Sequence, residues 1–459
     1  MKTIGKYEVC GLLGKGGMGA VYKARLPYVN KLVALKLLSP HPHLKALMGE
    51  EEIRRRFFSE AEAMGNLRHP NVVDVLDFDF SQGRPFFTME YYYHNLGALI
   101  GESYRVETPT RMLGPERTIH YARQLLCGLS RLHRAGMVHR DVKPYNLLIT
   151  DQDTLKIGDF GLYKPRGEQP QRNASTLMVG SPYYAAPEQE EDPEGVDVQA
   201  DLYSAGVVIR RMLTGRLPDE EDEDTAPSSS HPDIDPLWDE FLMKAIRRER
   251  NGRFASAEEM LSRLEAIAAV WERKKDAFCR ALPKVDSDRP PLVRRLRDRP
   301  VKAGPAEAPA IFECDELWRP LVYDVNDLIK DGRNVLDRST GLLWQQSGSD
   351  DPLDWQEALA YVRHLNERRF ADCTDWRLPT VNELFSLLRP VALGAANCFE
   401  PVFDPEKKWL WSCDRRTFTS AWHVNGELGF TGWSDLTCRH FVRAVRSPEN
   451  NCRNTGLEV

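Results

Sequence analysis

The sequence predicts two α+β domains of unequal size, joined by a charged, proline-rich linker. Strand-like patterns dominate about the first ninety residues, and helical patterns follow as far as about residue 270. The composition then changes to proline and like charges, and eight of the ten tryptophans follow this break. We therefore place the domains at 1–271 and 311–447, with a linker at 272–310 and a tail at 448–459.

Three short runs carry the chemistry of the first domain. A glycine-rich run, G-K-G-G-M-G-A-V, begins at Gly14, V-H-R-D-V-K-P-Y-N begins at Val138, and D-F-G begins at Asp159. In this order the runs resemble those of eukaryotic-like Ser/Thr protein kinases. Lys143 at its spacing is typical of the Ser/Thr variant of the catalytic loop. The resemblance covers about the first 270 residues.

The resemblance implies a bilobal protein-kinase fold, with an N-lobe over about 1–92 and a C-lobe over about 93–271. It also implies a reaction, the transfer of the γ-phosphoryl group of ATP to protein hydroxyls, with Mg²⁺ as the metal cofactor. Protein substrates are therefore the expected partners of this domain.

The glycine-rich run lies between two predicted strands, 7–13 and 20–25, and a third strand follows at 32–38. Glycines let backbone N–H groups approach phosphate oxygens without interference from side chains. A dinucleotide-binding turn would require a helix after the loop, so the strands favour the kinase interpretation. The nucleotide-binding candidates here are Gly14, Lys15, Gly16, Gly17, Gly19, Val21 and Ala34.

Lys36 ends a V-A-L-K run that matches the third kinase strand, so it is expected to contact the nucleotide phosphates. The glutamate that holds this lysine should lie on the amphipathic helix predicted at 51–67. Glu60 fits best, and Glu62 is the one competitor.

Two further strands are predicted at 71–80 and 85–91, around a Gln82-Gly83 turn. By the same resemblance, Met89 would lie at the back of the nucleotide pocket. The hinge that hydrogen-bonds adenine would include Glu90 and Tyr92.

The catalytic loop supplies the remaining catalytic candidates. The resemblance implies that Asp141 orients the accepting hydroxyl and takes its proton, while Lys143 steadies the transferring phosphoryl group. Asn146 and Asp159 would hold the metal ion. Asp201 is expected to brace this loop from below.

The polar segment after Asp159 contains the regulatory candidates Ser175 and Thr176. A phosphate on either residue could pair with Arg140, which directly precedes Asp141. The alternative is that both hydroxyl residues are ordinary loop residues. Beyond this segment, residues 180–184 form the expected substrate-docking turn.

Three further expectations concern the rest of the first domain. Residues 105–114 should form an exposed loop, and a helix should span 115–135 after Pro115. Arg253 is expected to form an ion pair with Glu188.

The second domain combines short strands with two predicted helices, at 355–365 and 380–388. The phrases T-G-L-L-W-Q at Thr340 and D-W-R-L-P-T-V-N-E-L at Asp375 resemble the Lcl C-terminal domain family, which implies a C-type-lectin-like fold. Its tryptophans suit either a hydrophobic core or stacking on sugar rings. Its ligand or protein partner is unknown.

Composition excludes several classes of protein. The net charge of −6 gives no reason to expect nucleic-acid binding. No stretch approaches about eighteen unbroken apolar residues, so no membrane span is predicted. The N-terminus has no signal-peptide core, and we therefore expect a cytoplasmic protein.

These observations predict a protein serine/threonine kinase that autophosphorylates and carries a C-terminal binding or sensor module. The alternative is a nucleotide-binding pseudokinase scaffold whose second domain binds a ligand or partner. Loss of Lys36, Asp141 or Asp159 would have favoured the scaffold, and all three are present.

Overall fold

The computed structural model describes residues 2–15, 18–103, 106–158, 164–165, 183–193, 195–218, 226–229, 234–279, 295–390 and 398–447. The chain divides into two compact units, Met1–Ala281 and Leu282–Val459. None of the described helices is long and apolar enough to cross a membrane.

The first unit opens with an antiparallel sheet in the order β1-β2-β3-β4-β6-β5. Its strands are β1 (Thr3–Ile4), β2 (Tyr7–Lys15), β3 (Gly19–Leu26), β4 (Lys31–Leu38), β5 (Val75–Ser81) and β6 (Arg84–Glu90). The turn between β5 and β6 has positive φ at Gln82 and Gly83, the geometry that suits the twist of a two-residue hairpin. The predicted strands and turn are confirmed, except that the strand predicted at 71–80 begins at Val75.

Helices α1 (Pro42–Met48) and α2 (Glu50–Asn66) lie between β4 and β5 in the sequence. Helix α2 buries Ile53, Phe57, Ala61 and Met64, which recur at helical spacing. Three glutamates in its first turn suit the positive end of the helix dipole. The buried stripe also includes Glu60, and a buried carboxylate requires a partner.

The remainder of the first unit is mainly helical and is built around α6, whose side chains are nearly all buried. Its helices are α3 (Leu96–Ile100), α4 (Pro115–Arg134), α5 (Glu188–Glu191), α6 (Val198–Thr214), α7 (Leu237–Ala245) and α8 (Ala257–Cys279). Its short strands are β7 (His94–Asn95), β8 (Met137–Val138), β9 (Leu147–Ile149), β10 (Leu155–Ile157) and β11 (Lys164–Pro165). Single 3₁₀ turns occur at Pro144–Asn146, Pro227–Ser229 and Arg250–Gly252.

The prediction of an exposed loop at 105–114 was wrong for its second half. Thr110, Arg111 and Leu113 are buried. The Arg111 guanidinium donates to the carbonyls of Leu99 and Ala98 at the end of α3. The last carbonyls of a helix lack partners within the helix, and this side chain supplies them.

The second unit contains two antiparallel sheets, in the orders β12-β13-β14-β18 and β15-β16-β17. Its strands are β12 (Leu328–Asp331), β13 (Asn334–Asp337), β14 (Leu342–Gln345), β15 (Trp409–Arg415), β16 (Ser420–Asn425), β17 (Phe430–Asp435) and β18 (Val445–Arg446). Its helices are α9 (Ala308–Phe312), α10 (Trp355–Glu367) and α11 (Val381–Ser386), with a 3₁₀ turn at Phe370–Asp372.

Most of the tryptophans in this unit belong to its core. Five are buried, namely Trp344, Trp355, Trp376, Trp411 and Trp422. Trp433, by contrast, is 37% exposed. The core interpretation therefore holds for most of these rings, and stacking on a ligand is open to few of them.

The structure differs from the predicted linker, 272–310, at both ends. Helix α8 continues to Cys279, and Ala303 and Ala308 are fully buried in the core of the second unit. The indole N–H of Trp422 donates to the carbonyl of Ala303 at 3.0 Å. The proline content and the charges indicated an extended tether. The contacts of Ala303 and Ala308 show instead that the second half of the predicted linker packs in the core of the second unit.

Candidate active site

Lys36 on β4 and Glu60 on α2 form a buried ion pair. Nζ of Lys36 lies 2.6 Å from Oε1 of Glu60, and the side chains are 8% and 3% exposed. Glu62 lies on the exposed side of the same helix, which excludes it as the partner of Lys36. The ion pair connects α2 to β4 and holds the Lys36 ammonium in place.

The glycine-rich loop connects β2 and β3, which pair Gly14 with Val21 and Lys15 with Ala20. A Cβ at Gly19 would lie 2.3 Å from the carbonyl oxygen of Leu37, so packing alone requires glycine there. A Cβ at Gly14 would meet no atom within 4 Å, so packing does not explain this glycine. Gly16 and Gly17 lie outside the described residues.

The predicted hinge follows β6. Met89 is buried and pairs across the sheet with Ala34, which is also buried. The Tyr92 hydroxyl donates to Oε2 of Glu90 at 2.6 Å. Burial, together with this carboxylate, raises the pKa of Tyr92, so the hydroxyl stays a neutral donor. The pairing of β4 with β6 thus places Ala34 next to Met89.

Three side chains meet in the catalytic loop. Nζ of Lys143 donates to Oδ2 of Asp141 at 2.8 Å. The Asn146 amide donates to the backbone carbonyl of Asp141 at 2.8 Å and to its Oδ2 at 3.0 Å. Oδ1 of Asn146 accepts no hydrogen bond from the described residues. An amide oxygen in this position fits the oxygen ligands that Mg²⁺ prefers.

Asp201 holds the backbone of the same loop from α6. Its carboxylate accepts from the N–H groups of His139 and Arg140, both at 2.8 Å, and contacts Nε2 of His133 at 2.9 Å. Burial alone would raise the pKa of Asp201. These donors and the neighbouring imidazoles outweigh burial and hold it below its ordinary value. A charged Asp201 therefore braces the loop, as the sequence predicted.

The loop is also connected to the residue before Asp159. The Gly158 carbonyl lies 3.1 Å from Nε2 of His139, and its N–H donates to the Asn146 carbonyl at 2.9 Å. Asp159 itself lies outside the described residues, so its role as a metal ligand stays a prediction. These bonds hold the chain that leads to it against the catalytic loop.

Arg140 has an unusual backbone conformation, with φ of 69°, and a half-buried side chain. Among the described residues, its guanidinium makes long contacts, 3.4 Å to the carbonyls of Pro193 and Val196. Burial lowers its pKa, and the positive charge of Arg56 adds to this, while Asp201 opposes it. A half-buried cation that has no close partner among the described residues favours an incoming anion. Ser175 and Thr176 lie outside the described residues.

Comparison with protein families agrees with this arrangement. A model of the protein kinase domain matches residues 7–261, more than half of the chain. The chain belongs to the protein kinase family. A model of the Lcl C-terminal domain matches residues 333–446, within the second unit.

Similar proteins include members of the kinase family from bacteria. A serine/threonine-protein kinase of Myxococcus xanthus is 32% identical over 322 residues, 65% of this chain and 56% of that protein. A probable serine/threonine-protein kinase of Clostridium perfringens is 33% identical over 275 residues, 57% of this chain and 38% of that protein. The PknI kinase domain of Mycobacterium tuberculosis is 26% identical, covering 58% of this chain and 97% of that one, with a TM-score of 0.43. The chain thus spans between 38% and 56% of the two curated relatives.

The sequence analysis did not identify several residues that support the candidate active site. His133 contacts Asp201, and the Gln189 amide donates to the Arg140 carbonyl at 2.8 Å. Glu102 accepts a hydrogen bond at 2.6 Å from Tyr184, which lies in the predicted substrate-docking turn. None of these residues stands in one of the short runs, so no local signal marked them.

Proposed function

We propose that the first domain transfers the γ-phosphoryl group of Mg-ATP to serine or threonine hydroxyls of proteins. The observation that carries the proposal is the buried Lys36–Glu60 pair together with the Asp141, Lys143 and Asn146 cluster. Phosphoryl transfer needs positioned charge more than covalent chemistry, and these five side chains provide it.

Each residue then has a defined task. Glu60 fixes the ammonium of Lys36 so that it can bind phosphate oxygens without reorganising. Asp141 orients the accepting hydroxyl and receives its proton, and Lys143 offsets negative charge on the transferring group. Asn146, with Asp159, would hold Mg²⁺, which supplies positive charge to the phosphates.

The glycine-rich loop and hinge would bind the nucleotide. We assign the phosphates to the backbone of the loop, where Gly14 leaves open space. The base would lie against Ala34, with Met89 at the back of the pocket, and would hydrogen-bond to the backbone at Glu90 to Tyr92. A reaction that consumes ATP favours the cytoplasm as its compartment.

The second domain would act as a binding or sensor module with a C-type-lectin-like fold. Its match to the Lcl C-terminal domain and its two small sheets support this assignment. Deleting residues 295–459 should then change the rate of phosphoryl transfer.

The test is the intact mass of the full chain after incubation with Mg-ATP, compared between wild type and Asp141→Asn. Asp151→Asn, in the exposed turn between β9 and β10, is the matched control. We expect phosphate-sized increments in wild type and in the control, and none in Asp141→Asn. Bound nucleotide without any increment in wild type would instead support the pseudokinase scaffold.

A further inference from the structure

Glu102 is a buried carboxylate with an unsatisfied oxygen. It follows α3, is 7% exposed, and its Oε1 accepts from the Tyr184 hydroxyl at 2.6 Å. Its Oε2 is buried and accepts no hydrogen bond from the described residues. Burial raises the pKa of Glu102, although Tyr184, Arg211 and Lys143 oppose that effect. A buried carboxylate oxygen without a partner is costly, so a hydrogen-bond donor that reaches it would be stabilised there.

Glu102 contacts two segments that would lie next to a bound protein substrate. Its backbone carbonyl accepts from the hydroxyl of Tyr145, which belongs to the catalytic loop. Tyr184 belongs to the substrate-docking turn, and Lys143 is close enough to act on the carboxylate electrostatically. Glu102 thus joins the two segments between which an accepting hydroxyl would approach Asp141.

Nearby cations do not satisfy this carboxylate. The Arg211 guanidinium donates to the carbonyls of Val106, Thr108 and Gly215. Nζ of Lys143 donates to Asp141. Among the described residues, neither cation donates to Glu102, so one charge-assisted hydrogen bond is left to be made.

The neighbouring tyrosine, Tyr145, presents a partly exposed aromatic ring, which suits a cation. Tyr145 is 44% exposed, and its hydroxyl donates only to the Glu102 carbonyl among the described residues. Its ring packs against Gly97, where a Cβ would lie 2.9 Å away. Rotation of one surface side chain is an ordinary response to binding, and the ring can then contact the cation.

We propose that Oε2 of Glu102 binds an arginine or lysine side chain of the protein substrate, close in sequence to the accepting serine or threonine. This inference rests on the proposed kinase activity and names the substrate class for it. Lys143 acts electrostatically on Glu102 and donates to Asp141, so we expect the basic residue close in sequence to the acceptor. Arginine is preferred over lysine because its guanidinium can donate two hydrogen bonds.

The experiment measures kcat/KM on a peptide library with one central serine and either arginine or glutamine at each flanking position. For wild type we expect arginine to raise kcat/KM about ten- to a hundredfold at one position, the range for a hydrogen bond to a charged group. Glu102→Gln keeps an acceptor for Tyr184, and it should reduce the preference to less than about threefold. The readout is the ratio of kcat/KM between the arginine and glutamine peptides within each variant, so a change common to both peptides does not affect it.

Two further variants keep the test decisive if Glu102→Gln folds poorly. Glu107→Gln removes the carboxylate that Tyr183 contacts, and Tyr145→Phe removes the donor to the Glu102 carbonyl. Both should retain the arginine preference. Wild type that phosphorylates itself but shows no arginine preference at any position overturns this inference alone. Wild type that transfers no phosphate to itself or to any peptide overturns the proposed function as well.

Discussion

At the scale of single residues, burial distinguishes the two glutamates of α2. Glu60 is 3% exposed beside Lys36, whereas Glu62 is exposed. We predict that Glu60→Gln lowers the initial rate of phosphate incorporation about a hundredfold, because Lys36 loses the charge that positions it. Glu62→Gln is the control and should leave the rate unchanged. Equal losses in the two variants would show that Lys36 does not depend on Glu60.

A second residue-scale prediction compares two neighbouring ion pairs. Arg253 and Glu188 are joined by two hydrogen bonds, at 2.6 and 2.8 Å, and are almost fully buried. Arg248 and Glu191 form an exposed pair at 3.0 Å. Removing one partner of a buried pair leaves an uncompensated charge, so Glu188→Gln should cost about 3–5 kcal/mol.

The matched change, Glu191→Gln, should cost about 0–1 kcal/mol, because water screens an exposed pair. Urea titration of the full chain, with the transition of the first domain monitored, measures both values. Similar losses in the two variants would contradict the burial argument. The Arg253–Glu188 ion pair was predicted from the sequence, and the two hydrogen bonds between these side chains confirm it.

At the residue scale, the sequence locates candidate residues where the chemistry stands in short runs, and their catalytic roles stay predictions. Lys36, Asp141, Lys143 and Asn146 are marked by their immediate neighbours in the chain. Glu102 was missed because its partner Tyr184 is 82 positions away, and a lone glutamate after a short helix carries no local signal. Contacts of this kind depend on the fold, which spacing along the chain does not reveal.

At the scale of elements, α4 and α8 are joined by a charge-assisted contact. Glu258 accepts from the Ser130 hydroxyl at 2.6 Å and from Arg134 at 2.8 Å. The Ser130 hydrogen bond is the main reason that the pKa of Glu258 falls to about 2, although burial opposes it. The pKa is depressed in the folded state, so the stabilisation is present above about pH 4.5 and is lost as the pH falls towards 2.

We therefore predict that Glu258→Gln destabilises the first domain at pH 6 and that this difference shrinks at pH 3. Urea titrations of both proteins at the two pH values measure the difference. Glu249→Gln, in an exposed turn, should show no such dependence. A constant difference between wild type and Glu258→Gln at both pH values would contradict the assigned pKa shift.

Hydrophobic periodicity predicted where many helices and strands lie. It did not reveal what the residues of the diagnostic phrases do in the structure. In the phrase D-W-R-L-P-T-V-N-E-L, Asp375 pairs with Arg446, Arg377 pairs with Glu383, and Thr380 caps α11. Trp376 is buried and donates to the Phe370 carbonyl. These residues hold the second domain together, which explains why the phrase identifies a fold and indicates no activity.

At the scale of the whole molecule, the second domain begins before the predicted boundary at 311. Arg297 donates twice to the fully buried Asp414, with both distances at 2.8 Å. The N–H groups of Val301 and Val381 complete the set of donors to this carboxylate. The composition of the linker suggested a tether, because a basic run read alone does not reveal a buried acid more than a hundred residues away.

The last prediction tests this boundary. A fragment of residues 295–447 should fold, whereas a fragment of residues 311–447 should be less stable by at least about 3–5 kcal/mol or remain unfolded. The shorter fragment leaves Asp414 buried without Arg297 and removes Ala303 from the core. Arg297→Ala in the longer fragment should reproduce part of the loss, since it removes the cation and keeps the backbone donor of Val301. Equal urea midpoints for the two fragments would show that residues 295–310 contribute nothing to the fold, and the tether at 272–310 would then be the correct description.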